Sequence, residues 1–407
     1  MRCFSICTLT FLGLTAVSCE VLTSNIVDPS FRVENYDPAT DYFPDKVTFN
    51  NATKSRIEYR MNWKYVQLSS IHKYILYQRG TPQPERISQY DEFFEIPLNR
   101  VEVVNSTAVS YLDMLGLGER IVSAEPQYLT SPCIANSNSG VNVDALFSPD
   151  RYIVGNKTIH ITEDPWYSPL VRSDLLKIYS VFFNLEKTAN KITREIEDNY
   201  NCVKSEVGSM KAKTMPKIAW IYRSDYYKYH GSDVYYVYST TSYLGSLMQD
   251  SGAQLIEFDE DNGALAHGYK NLNEFLDVIK DADIVVEISD FIHQNITYPT
   301  VDEVLQLYNL SVADTQYKFI SNKAVYRVDR IQTKGGDVDW YFNAVVMADA
   351  ALQDTVNMAH HDFKSNYTFH WMRSLFDDEK LDGPKHSTCI DPKAPLANVA
   401  YKCDARI

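Results

Sequence analysis

Residues Leu170 to Val207 read LVRSDLLKIYSVFFNLEKTANKITREIEDNYNCVKSEV, with neither Gly nor Pro. Leu175, Tyr179, Phe182, Leu185, Ala189, Ile192, Ile196, Tyr200 and Val203 recur at every third or fourth position. Lys187, Lys191, Arg194, Glu195 and Glu197 fill the gaps. That spacing predicts an amphipathic helix, begun by Pro169 and Ser173 and ended near Gly208. About 35 residues at ~1.5 Å each reach about 50 Å. A small lobe is only about 25–30 Å across, so one helix of this length runs along two lobes.

Both flanks alternate strand and helix. After the helix come strands at 217–222, 253–258, 283–288 and 324–329, with helices at 242–249, 272–279 and 301–307 between them. Before it, strand 101–104, helix 108–115 and strand 121–124 make a similar unit. Phe342, Val345, Ala348, Leu352 and Val356 place a closing helix within 339–358. This rhythm implies a mainly parallel sheet with helices on both faces. The expected architecture is two α/β, Rossmann-like lobes joined by one long interlobe helix. Its parts are a signal peptide at 1–18, an N-terminal lobe at 19–172, the helix at 173–208, a C-terminal lobe at 209–335, and a closing helix with a disulfide-bonded tail at 336–407.

The signal-peptide reading rests on Arg2, the short apolar run Phe4 to Val17, and the small residues Ala16-Val17-Ser18 before Cys19. The run is shorter than the roughly 18–20 residues of a membrane anchor. A bacterial lipoprotein acylated on Cys19 is the second reading, with Ala16 where Leu is expected. Asn51, Asn105, Asn156, Asn295, Asn309 and Asn366 open Asn-x-Ser/Thr triplets, the acceptors of N-glycosylation in exported eukaryotic chains. Cys3 and Cys7 leave with the signal. Cys133, Cys202, Cys389 and Cys403 suit two disulfides in an oxidising compartment, and Cys389 with Cys403 is the pairing expected. A secreted or cell-surface protein follows. The chain carries a net charge of −14, which speaks against nucleic acid and anionic membranes as partners.

A search for catalytic motifs yields no G-x-S-x-G elbow, no glycine-rich phosphate loop and no H-E-x-x-H, and no enzymatic activity is expected. His360 and His361 point about 100° apart on a helix and chelate one ion poorly. His160, His230, His267 and His293 make a metal site only if the fold gathers them, so no metal ligand is assigned. The positive signal is aromatic. Tyr222, Tyr226, Tyr227, Tyr229, Tyr235, Tyr236, Tyr238 and Tyr243 crowd one segment behind Trp220, read as a loop following a strand. Ligands of open α/β sheets bind beyond the strands' C-terminal ends. Tyrosine offers a broad apolar face and a rim hydroxyl, suited to a large, flat, amide-bearing ligand. The plainer reading is that half of these rings pack the lobe. Glu163-Asp164-Pro165-Trp166-Tyr167 and Asp337, Asp339, Trp340, Tyr341 are two further clusters, for which turn and cap chemistry is the plainer account.

The segment from Ala108 to Val122 is similar to the opening strand–helix–strand of class III periplasmic binding proteins, which carry cobalamin and ferric siderophores. Glu163 to Arg172 resembles that family's entry into its interlobe helix. Ala324-Val-Tyr-Arg-Val-Asp-Arg330, followed by Gly335-Gly336-Asp337-Val338-Asp339-Trp340, resembles its final strand and Gly-Gly motif. Tyr42 to Val47 and Tyr77 to Pro84 look like a eukaryotic branch that includes algal cobalamin acquisition proteins. The resemblance covers roughly residues 70–375. It implies capture of cobalamin as a ligand, with no covalent cofactor, for delivery to a membrane receptor or transporter. The binding residues expected are Trp166, Tyr167, Tyr226, Tyr227, Tyr235, Tyr236, Tyr238, Arg330 and Trp340. A ferric siderophore or haem binder, using Arg223 and Arg330 against an anionic chelate, is the first alternative. A Zn/Mn carrier is the next.

Overall fold

A computed structural model describes residues 22–49, 55–104, 106–124, 130–131, 134, 142–149, 157–162, 164, 166–210, 215–224, 233–238, 243–256, 264–291, 296, 298–332, 336–364, 366–377, 391 and 393–403. The chain opens with a small sheet in the order β1 (Arg56–Tyr59), β2 (Trp63–Gln67), β3 (Lys73–Gln78), β4 (Asp91–Ile96), antiparallel except for the β3–β4 pair. The sequence reading did not anticipate it. Next come β5 (Val101–Val103), α1 (Ser106–Met114), β6 (Ile121–Ala124), β7 (Ala145–Ser148) and β8 (Thr158–His160). They form an all-parallel sheet in the order β6-β5-β7-β8.

The expected single helix is two. α2 (Pro169–Ser180) ends in a turn, and α3 (Glu186–Ser209) begins after it. At the turn Asn184 takes a left-handed φ of 58°, and Leu185 N–H donates back to the Ser180 carbonyl at 3.1 Å, the bonding of a Schellman stop. Lys64 on β2 then donates to the Val181 carbonyl and to Asn184 Oδ1, both at 2.7 Å. α2 starts against the C-terminal lobe, where Ser173 Oγ donates to the Val346 carbonyl, and ends against β2. α3 runs back from Lys64 to Asp250 and Gly252. The interlobe helix is therefore α3 alone, 24 residues or about 36 Å long. No helix among the described residues is long and apolar enough to cross a membrane.

The second lobe comprises β9 (Lys217–Ser224), β10 (Val234–Tyr238), α4 (Tyr243–Asp250), β11 (Gln254–Leu255), β12 (Ala266–Tyr269), α5 (Leu272–Ile279), β13 (Ile284–Glu287), α6 (Val301–Gln306), α7 (Lys318–Ser321), β14 (Val325–Arg327), a 3-10 turn (Asp339–Tyr341), α8 (Ala348–Ala359) and β15 (Arg373–Ser374). Its sheet runs β12-β10-β9-β13-β14-β15, with β11 beside the start of β9. The closing helix is thus shorter than expected, because residues 342–347 turn before α8 begins. Alternation along the strands sends Ala219, Ile221, Val285 and Val325 to one core with Phe275 and Phe319. It sends Ile218, Trp220, Ile284, Val286 and Tyr326 to another, shared with Tyr200, Leu247 and Leu352. That second core continues without a break through Tyr179 and Phe182 to Tyr74 and Phe94. One continuous apolar core thus joins the two lobes.

The tail corrects the expected disulfide. Cys403 is bonded to Cys202 of α3, not to Cys389, which lies with Cys133 outside the described residues. The reason is that the tail crosses the molecule as a strap. Lys393 pairs with Glu119, and Leu396 N–H donates to the Asp113 carbonyl. Tyr401 N–H donates to Gln353, and Cys403 N–H donates to Asn199. Asn199 and Asn398 both donate to Asp349. Burial pushes the Asp349 carboxyl up to about 6, against those two amide donors. A folded-state value above the unfolded one means the folded chain holds the extra proton, so this stability is present at low pH and lost as pH rises toward 6. The shift is worth up to about 3 kcal/mol. Urea midpoints are expected to fall between about pH 4 and 6.5, and Asp349→Asn should flatten that slope; an unchanged slope would remove Asp349 from the account.

Candidate ligand-binding site

Of the crowded tyrosines, Tyr222 lies on β9, Tyr235, Tyr236 and Tyr238 lie on β10, a strand where a loop was expected, and Tyr243 opens α4. β10 pairs antiparallel with β9, setting Tyr236 opposite Tyr222, and with β12, setting Tyr236 opposite Gly268. Val234-Tyr-Tyr-Val-Tyr238 alternates, so Tyr236 and Tyr238 share a face with Trp220 and Tyr222 of β9, while Tyr235 turns into the opposite core against Phe275. The Tyr222 and Tyr236 rings stack at 4.5 Å and 5°, and Tyr238 lies 5.8 Å from Tyr222. Gly268 is what lets Tyr236 lie flat. A Cβ there would meet the Tyr236 ring at 2.8 Å.

Beside this shelf, near the Tyr238 phenol, Tyr341 keeps 42% of its surface exposed. Trp340, the expected contact, is buried: it stacks on Trp220 at 5.7 Å and meets Trp371 edge-on at 5.9 Å. It packs against the Trp220 end of the shelf, on the same face of the sheet. Four half-exposed tyrosines, Tyr222, Tyr236, Tyr238 and Tyr341, therefore line one side of the C-terminal lobe. Tyr222 and Tyr341 were absent from the expected set, though the i, i+2 spacing of Trp220 and Tyr222 carries the signal once β9 is read as a strand.

Next to the shelf, the ends of β13 and β14 hold a closed charge network. Arg327 bonds to Glu287 and, at 2.6 Å, to Asp329, and donates to the Ser289 carbonyl. Arg373 donates to both Asp329 oxygens at 2.8 Å and to the Pro299 carbonyl. Tyr308 and the Ser289 amide complete Glu287. Burial would push Asp329 up, but Arg327 and Arg373 outweigh it and hold the carboxyl below its ordinary range. Arg223, at the end of β9, pairs with Asp233 at 2.7 Å. Arg330 is buried, with its backbone N–H on the Trp371 carbonyl. Its side chain lines a cavity of about 200 Å³ with Phe369, His370, Val399 and Tyr401. That cavity lies at the β14–β15 edge, about four strand spacings or ~19 Å from β10.

On the N-terminal lobe, Trp166 is 45% exposed, held by an Asp164 turn in which Asp164 Oδ1 accepts its backbone N–H. Tyr167 is half-buried against the core. Tyr226 and Tyr227 lie outside the described residues, as do His230, His293, Asn51, Asn105, Asn156 and Asn295. Asn309 and Asn366 are exposed. His160 stacks on His72 at 4.4 Å, and His267 meets Tyr269 at a tilt, 4.6 Å away. They stand on different sheets and do not converge.

No protein-family model matches the chain, and no curated protein does. Solved structures are similar in chain path. An ABC transporter substrate-binding protein from Listeria monocytogenes shares 14% identity at a TM-score of 0.46, over 65% of this chain and 99% of its own. S. aureus IsdE complexed with heme shares 16% at 0.43, over 64% and 98%. The Fe3+–Desferal-bound siderophore-binding protein FhuD from Vibrio cholerae shares 13% at 0.43, over 64% and 98%. Likeness at this level leaves the ligand to be read from this chain's own residues.

Proposed function

We propose that this protein is an exported solute-binding protein that captures cobalamin, performs no chemistry on it, and hands it to a membrane receptor or transporter. The observation that carries this reading is the tyrosine shelf. The surfaces these rings leave uncovered offer apolar contact to a flat macrocycle, and tyrosine hydroxyls suit the amides at its rim. Trp166 is the matching contact from the other lobe.

A second observation bears on the rival, an anionic ferric siderophore or haem. Such a ligand calls for arginine charge, yet Arg223 and the nearby Arg327 and Arg373 are each already paired with a carboxylate, and Arg330, the other arginine expected to serve, is buried at the cavity on the β14–β15 edge, away from the shelf. In a chain of net charge −14, a ligand recognised by faces and amides fits better.

Calorimetric titration with cyanocobalamin, ferric desferrioxamine and hemin in parallel tests this. Cyanocobalamin should bind. Tyr236→Ala should weaken it about 10- to 100-fold, or about 1.4–2.8 kcal/mol, and Tyr236→Phe much less, since it keeps the ring. Heat from hemin or the ferric chelate, with none from cyanocobalamin at roughly tens of micromolar, would replace this reading with its rival.

A further inference from the structure

The anchor of the C-terminal strap carries a chemistry of its own, independent of the ligand shelf. Cys202 and Glu206 are four residues apart on α3 and so lie one above the other on the same face. Cys403 reaches that spot from the strap. The two sulfurs and a Glu206 carboxylate oxygen all lie within 4.8 Å of one another. Among the described residues this is the group of three metal-ligating side chains that draws so close. Cys202 and Glu206 are half-buried, not sealed, so solvent reaches the corner.

We propose that reducing the Cys202–Cys403 bond turns this corner into a site for one soft divalent ion of the Zn2+ class. A dithiol supplies the two electrons and two protons: its own sulfurs become a disulfide as the protein's S–S bond breaks, leaving two thiols. The ion then displaces both thiol protons to solvent. It forms two metal–sulfur bonds and one metal–oxygen bond to Glu206, with a water in the fourth place. Zinc–sulfur bonds of about 2.3 Å at a tetrahedral angle set the sulfurs about 3.8 Å apart. Two sulfurs no longer bonded separate to about that distance by contact alone, so the strap scarcely moves. Thiolate donors also select such an ion over magnesium or calcium.

The ligands are pre-organised because the strap does not depend on the disulfide alone. Asn199 accepts from Cys403 N–H at 2.7 Å, Gln353 accepts from Tyr401 N–H at 2.8 Å, and Asn398 donates to Asp349 at 2.9 Å. Those bonds keep Cys403 beside α3 after the covalent link opens. Metal binding would then hold Val399 and Tyr401 in place as the wall of the cavity of about 200 Å³ under reducing conditions too.

The test is titration of the full chain with Co2+, as a spectroscopic stand-in, after reduction by a phosphine under argon. One equivalent should give thiolate-to-cobalt charge-transfer absorption that the oxidised protein lacks. The other cysteines are common to the parent and Cys202→Ser, so the difference between the two isolates this site. Glu206→Ala should weaken binding about tenfold or more. In parallel, Zn2+ should raise the melting temperature of the reduced parent and leave a Cys202→Ser/Cys403→Ser double variant unmoved. The proposal is overturned if the absorption of the reduced parent does not exceed that of Cys202→Ser, if Glu206→Ala binds as the parent does, or if Zn2+ shifts the parent and the double variant equally.

Discussion

Replacing Lys64 by methionine is expected to cost the fold about 3–5 kcal/mol, the loss typical when one member of a buried ion pair is removed. Lys64 and Glu186 are both wholly buried. The ammonium spends its three donors on Glu186 Oε1, the Val181 carbonyl and Asn184 Oδ1, and lies 4.5 Å from the Phe43 ring. Glu186 also accepts from Asn25 at 2.8 Å. Burial pushes Lys64 down and Glu186 up, and each partner works against the other's shift. Without Lys64 the carboxylate is stranded and must take up a proton. The pair is also where the N-terminal sheet, the helix break and the start of α3 meet. Lys64→Met and Glu186→Leu should each lower the urea midpoint sharply and open residues 63–78 and 181–186 to hydrogen exchange. The double variant, apolar at both positions, should recover much of the loss. Single variants within about 1 kcal/mol of the parent would show that this pair does not hold the lobe together.

The same pair explains why the helix was misread. Val181-Phe-Phe-Asn-Leu185 is apolar with the right spacing, and no Gly or Pro marks a stop. What ends α2 is a carbonyl captured by a lysine 117 residues away in sequence, and periodicity holds no record of that. Asn184 is a local cue, but a weak one, since glycine is the usual occupant of a left-handed stop. By contrast β9, α4, α5, β13, α6 and β14 were legible within a residue or two. Each is an apolar run of characteristic period bounded by turn residues.

The candidate site was half legible. Tyrosine density pointed to the right segment, yet counting tyrosines hid their alternation. Val234-Tyr-Tyr-Val-Tyr238 is β-branched and aromatic throughout, and reading it as a strand would have separated Tyr236 and Tyr238 from Tyr235. The register that puts Gly268 under Tyr236 is a long-range fact, as is the 201-residue separation of Cys202 and Cys403. Neither has a local signature. Glu287 is the clearest omission. A carboxylate closing an apolar strand asks for a buried cation, and Arg327 answers it from the adjacent strand.

That cation leads to the second large effect. Asp329→Ala is expected to cost about 3–5 kcal/mol and to weaken ligand capture. Asp329 accepts Arg327 Nε and both Nε and a terminal nitrogen of Arg373. Arginine does not deprotonate, so the variant leaves Arg327 with Glu287 alone and takes from Arg373 the carboxylate that it pairs with. The two guanidiniums hold the Ser289 and Pro299 carbonyls, and Tyr341 of the shelf feels the Arg327, Glu287 and Asp329 charges. The pH dependence gives the sign. The folded-state value of Asp329 lies below its unfolded one, so its stabilisation is complete above about pH 4 and is lost as pH falls through the lowered value. The parent should therefore show an acid-induced loss of stability that Asp329→Ala lacks, the opposite slope from that of Asp349. Hydrogen exchange at 284–291 and 325–332 should rise in the variant, and cyanocobalamin affinity should fall with Tyr222, Tyr236 and Tyr238 untouched. A variant that keeps the parent's stability near pH 7 and its acid transition would show that Arg327 and Arg373 find their acceptors elsewhere, and the shelf would have to be anchored by Trp220, Trp340 and Trp371 alone.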